Sequence, residues 1–141
     1  MPRFTPRRVI LTTVAAVAAL AVPAAAHHST AMFNWGKEIP IANATVERWD
    51  WTNPHTFLYV TVPGKSGGTE RWAFEGMSPS HLDRTGWSKR TLKPGDKINL
   101  TYYSLRDGRK GGFNVSVTKP GSPTMRQLGS PSESPAARPG V

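Results

Sequence analysis

With 141 residues, no cysteine and a formal net charge of +9, the chain has room for one domain built without disulfides. The missing cysteines exclude a disulfide framework, a thiolate metal site and a cysteine nucleophile. The 13 glycines and 13 prolines are too dense for a helix bundle and fit short strands joined by turns.

Arg3, Arg7 and Arg8 precede an apolar run from Val9 to Val22; Pro23 then breaks the helix, and Ala24, Ala25 and Ala26 offer a small-residue exit. This pattern predicts a cleavable secretory signal over residues 1–26 and a periplasmic or secreted protein. Arg7-Arg8 also permits a twin-arginine route. The apolar run is shorter than the about 20 residues a membrane-spanning helix needs, so no stable span is expected after cleavage. No cysteine follows it, which excludes a lipoprotein anchor. Cleavage removes three of the 18 basic residues and none of the nine acids, leaving +6. That charge would favour anionic surfaces, but export makes nucleic acid an unexpected partner.

Residues 27–118 are expected to form one domain. The strand-like stretch Ile41 to Trp51 is followed by Asn53-Pro54, whose junction is extended or turned. Thr56 to Val62 is the strongest strand, aromatic and β-branched, ending at Pro63-Gly64. Lys65 to Gly68 makes a hairpin loop, and Glu70 to Glu75 places Trp72 and Phe74 on one side. Ser78-Pro79 starts a short helix, a capping hydroxyl before a first-turn proline, which runs through Leu82 and ends near Gly86. Lys93-Pro94-Gly95-Asp96 turns into the alternating strand Ile98 to Tyr102. Asp107-Gly108 and Gly111-Gly112 are read as the next hairpin, and Phe113, Val115 and Val117 as one face of the last strand. Residues 119–141, rich in proline and serine, are expected to be a disordered tail.

Three strands, a short helix and two strands is the element order of the five-stranded OB barrel, so the expected fold is all-β: a small OB-like barrel with its helix between strands 3 and 4. An immunoglobulin-like sandwich is the alternative, but calls for about seven strands and no helix here.

Several stretches together resemble a family of small secreted bacterial proteins known only as a domain of unknown function. They are His27-His28-Ser29, Phe33-Asn34, Trp51-Thr52-Asn53-Pro54-His55, Phe74-Glu75-Gly76 with Ser78-Pro79-Ser80, Leu82, Arg84, Gly86-Trp87-Ser88, Leu92 to Asp96, and Arg106-Asp107-Gly108 with Gly111-Gly112. The resemblance implies a periplasmic address and a small β-barrel, and brings no established activity. Family members usually carry aspartate where Asn34 stands, a departure that weakens any carboxylate role at that position.

Cleavage after Ala26 would make His27 the first residue, its free amine and imidazole a chelating pair, with His28 beside it. Cleavage one residue earlier would put His28 third, a pattern suited to square-planar Cu(II) or Ni(II). His55, held by Asn53-Pro54, is the candidate further ligand, so His27, His28 and His55 are the expected Cu(II) ligands. The alternative is that these histidines are solvated, or that His55 hydrogen-bonds its own loop. His81, in the first turn of the helix, is read as a surface or packing residue.

Trp72 and Trp87 are expected to pack the barrel, whereas Trp35, Trp49 and Trp51 flank His55 in sequence and could line a groove for an apolar or sugar ligand. Arg106, Arg109 and Lys110 form a basic hairpin tip that could contact a partner. No nucleophile elbow, phosphate-cradling loop or HExxH pair points to catalysis, and nothing in the spacing makes Asp50 and Glu75 a catalytic pair. The leading expectation is a non-enzymatic binding module for a small ligand, Cu(II) being the best-motivated. The second is an accessory protein that docks on an exported enzyme or envelope component. An oligonucleotide-binding barrel is the third, disfavoured by export.

Overall fold

The computed structural model describes residues 30–129. The chain divides after Met32 into two units, 1–32 and 33–141. The described residues of the first, Thr30–Met32, form a single 3₁₀ turn. The second carries β1 (Ile39–Asp50), β2 (Phe57–Pro63), β3 (Thr69–Glu75), α1 (Pro79–Asp83), β4 (Lys97–Ser104), β5 (Gly111–Thr118) and β6 (Met125–Arg126). The sheet runs β3-β2-β1-β4-β5-β6, and a parallel pairing of β3 with β5 closes the first five strands into a barrel. Strand order, closure and the helix between β3 and β4 make this the OB-like barrel expected.

Alternation supplies the core. Leu58 and Val60 of β2, Phe74 of β3, Ile98, Leu100 and Tyr102 of β4 and Val117 of β5 are buried together with Ala44 and Val46 of β1. Trp72 stacks on Phe74 at 6.1 Å, on the same inner side. The segment after β3 plugs the barrel with Leu82, Trp87 and Leu92. Ser78 caps α1 by accepting the His81 N–H at 3.3 Å, and Pro79 needs no donor at the first helical position.

Simple alternation fails at three places. In β1 a bulge between Val46 and Arg48 resets the pleat, so Val46 pairs with Val60, Trp49 with Leu58, and both turn inward. Gly111-Gly112 does not belong to a hairpin loop. It opens β5 and forms the seam with Ala73 and Phe74. Nor do Phe113, Val115 and Val117 share one face: a register shift opposite Thr101 and Tyr102 separates them. Phe113 and Val115 join a second cluster with Phe33 and Tyr103, while Val117 stays in the barrel. All residues from Gly111 to Val117 are therefore buried.

The expectation that the tail begins at residue 119 is corrected for residues 119–129. Met125 and Arg126 pair with Val117 and Ser116, and Gln127, 1% exposed, accepts the Met77 N–H at 2.8 Å through its side-chain oxygen. Polar docking orders this segment together with Met125, packed against the barrel core, and Leu128, packed against the second cluster. Residues 130–141, like the expected signal at 1–26, lie outside the described residues.

At the turn before β4, Asp96 accepts the Lys93 N–H at 3.0 Å and pairs with Lys119 at 2.7 Å. The hydrogen bond from Lys119 holds the Asp96 carboxyl below its usual range. A carboxyl depressed by folding contributes stability above its unfolded pKa, about 3.9, and that contribution is lost as pH falls through the folded value. Asp96→Asn is therefore expected to be less stable than wild type at pH 7, with the gap closing as pH falls towards about 3. Urea midpoints at several pH values check this, and a gap independent of pH would refute it.

Candidate functional site

The outer face of β1, β2 and β3 carries the unassigned chemistry. Register places Arg48, Tyr59 and Ala73 in one row, Asp50, Phe57 and Glu75 in the next, and Thr45, Thr61 and Arg71 in a third. Because Leu58 and Val60 face the core, Phe57 and Tyr59 must face outward. Their rings stack at 6.4 Å and belong to neither buried cluster. The Arg48 guanidinium lies 4.0 Å from the Tyr59 ring centre.

Small Ala73 leaves an open groove of roughly 660 Å³ between Glu47, Arg48, Tyr59, Arg71 and Lys110. Ion pairs surround it: Arg48–Asp50 at 2.9 Å, Arg71–Glu47 at 3.1 Å and Lys110–Glu70 at 3.0 Å. The hydrogen bond from Lys110 lowers the pKa of Glu70.

At one end of this face stands His55, in the loop between β1 and β2 after a cis Asn53-Pro54 bond. Its carbonyl accepts from Thr52 Oγ1 at 3.0 Å. Its ring Nδ1 contacts the Glu75 carboxylate. The His55 side chain is 36% exposed and that of Glu75 15%, so the carboxylate holds the ring from the protein side. Asp50 is turned to Arg48, so Asp50 and Glu75 serve separate partners.

The other expected residues scatter. His27 and His28 lie outside the described residues, and among those described no three His, Cys, Asp or Glu side chains form a metal-holding group. His81 is a packing residue whose Nε2 donates to the Gln127 carbonyl at 3.1 Å. Trp49 and Trp51 come together, whereas Trp35 does not join them and packs in the other aromatic cluster. Trp35 packs with Phe33, Tyr103 and Phe113, at 5.4, 5.1 and 5.3 Å. Trp49 touches Trp51 at 5.8 Å and Trp87 at 6.0 Å, and donates to the Ser88 carbonyl. Nor do the three hairpin cations make one patch. Arg106 donates to the Phe33 carbonyl, Arg109 pairs with Asp107, whose pKa it lowers, and only Lys110 reaches the groove. Asn34 is spent on Ser104, through backbone and side chain.

Sequence reasoning missed Phe57 and Tyr59 as outward residues, although alternation with Leu58, Val60 and Val62 could have found them. It also missed Glu75 as the partner of His55.

Fold and face together define a small OB-like barrel protein with an aromatic, ion-paired outer groove and a carboxylate-held histidine at its end. Among the described residues no helix is long and apolar enough to cross a membrane. A family model matches residues 15–114, and the chain belongs to that family, described as a family of unknown function (DUF6152). No solved structure matches the chain.

Proposed function

We propose that this is an exported binding module that takes Cu(II) on histidine imidazole. His55 is the ligand on the barrel, and His27 and His28 are those expected on the processed amino terminus. The carrying observation is the contact of His55 Nδ1 with Glu75. A carboxylate on one ring nitrogen fixes the tautomer and raises the basicity of the other, the arrangement metal-ligating histidines use. Nε2 then serves as donor to the metal, and imidazole with a free amine suits Cu(II) without thiolate.

The test is Cu(II) titration of processed protein that begins at His27. Glu75→Gln is expected to weaken Cu(II) binding by about 10–100-fold, the range seen when a supporting carboxylate is removed. An extra residue before His27 is expected to weaken it too, by displacing the free amine. A His27→Ala, His55→Ala double variant that binds Cu(II) as tightly as wild type would refute the reading.

A further inference from the structure

We propose that the outer groove of β1–β3 binds a neutral oligosaccharide, stacking sugar rings on Phe57 and Tyr59 and hydrogen-bonding hydroxyls through the ion pairs around them. This goes beyond the copper reading and uses none of its ligands.

Three observations converge. Phe57 and Tyr59 form an outward stacked pair with no place in either buried cluster, whereas every other Phe, Tyr or Trp ring among the described residues lies in or packs against one of them. Aromatic faces accept the flat C–H face of a pyranose at little entropic cost, since each ring has two torsions. Next, the groove beside them is open at Ala73 and bounded by side chains that stay accessible: Arg48, Arg71 and Lys110 are 60, 84 and 54% exposed.

The charge pattern then selects the ligand. Each of these cations is matched by its own carboxylate, Asp50, Glu47 and Glu70 respectively. The three cations are each balanced by an acid, and Glu75 adds a further acid at the end of the face, so a polyanion gains little from counterion release here. Vicinal sugar hydroxyls need donors and acceptors side by side, which guanidinium–carboxylate pairs supply. Exposed pairs of this kind are weak, so they can re-form around a hydroxyl pair at small expense. The β2–β3 face is also where OB barrels carry extended oligomeric ligands.

The experiment is calorimetric titration of the full chain, in EDTA so that copper plays no part, with cellohexaose, maltohexaose and chitohexaose as probes. At least one is expected to bind saturably, with little change between about 50 and about 300 mM salt. Tyr59→Ala is expected to weaken that binding about tenfold or more, the effect of truncating an aromatic anchor, and Lys89→Ala to leave it unchanged. Should Tyr59→Ala fail to fold, the exposed double variant Arg48→Ala, Arg71→Ala is expected to lose binding in its place. The proposal is overturned if none of the three sugars binds, or if the folded groove variants bind as wild type. It is equally overturned if dextran sulfate binds more tightly than all three with steep salt dependence, which would mark a polyanion site.

Discussion

Gly112→Ala is expected to destabilise the barrel by about 3 kcal/mol or more. A Cβ at Gly112 would lie 1.9 Å from the Tyr103 carbonyl oxygen and 2.8 Å from Tyr102 Cδ2. The nearer obstacle is backbone, so no side-chain rotation relieves it, and β5 must move away from β4. The seam has only three residue pairs, Ala73–Gly111, Phe74–Gly112 and Glu75–Phe113, so a small shift opens it. Opening exposes two unpaired strand edges, which closure removes. Gly111 is constrained in the same way, at φ +153° and with Ala73 O 2.1 Å from a built Cβ. Gly36→Ala is the control, because nothing lies within 4 Å of its Cβ position. Urea denaturation followed by tryptophan fluorescence measures both, and a Gly112→Ala midpoint equal to that of Gly36→Ala would contradict the account.

Ending the chain after Thr124 is expected to lower stability by roughly 3–5 kcal/mol, a large fraction of what a small domain has. The cut removes β6 and the Gln127 N–H bond to the Val115 carbonyl at 2.7 Å. It also removes the acceptors of three groups: Trp87 Nε1 on the Arg126 carbonyl at 3.2 Å, His81 Nε2 on the Gln127 carbonyl, and the Met77 N–H on Gln127 Oε1. Each buried donor left without a partner costs about 1–3 kcal/mol. Arg126 further ties the segment to Glu38 at 2.7 Å. Gly76 shows how closely Gln127 is seated, since a Cβ there would come within 2.4 Å of Gln127 Oε1 and 2.5 Å of Thr56 Oγ1. A chain ending at Gly129 keeps all these bonds and is the matched comparison. Equal thermal midpoints for the two truncations would show that the segment contributes nothing.

The contrast between these two regions explains what could be read from residues alone. Phe57 to Val62 and Lys97 to Tyr102 alternate cleanly, and Ser78-Pro79 carries local capping chemistry, so strands and helix were legible. Gly111-Gly112 looks like turn chemistry because its requirement is tertiary: β3 and β4 crowd it from both sides. Residues 125–129 sit in a proline- and serine-rich stretch and look loose, yet Met125 and Leu128 pack against the two clusters and Gln127 docks through hydrogen bonds that composition does not register. The same limit applies to the site. His55 stands out as a histidine after Asn53-Pro54, but Glu75 becomes its partner only through the register of β2 and β3. Trp35, Trp49 and Trp51 are near one another along the chain, yet Trp35 joins the second aromatic cluster while Trp49 and Trp51 stay together against the barrel core.

The β3–β5 seam also sets an order of events during synthesis. Residues 73–75 can find their partners only when 111–113 are present, so a nascent chain cannot seal until its fifth strand has left the ribosome. Until then the β1–β2–β3 meander waits with one side unpaired, and β4 alone cannot cover it.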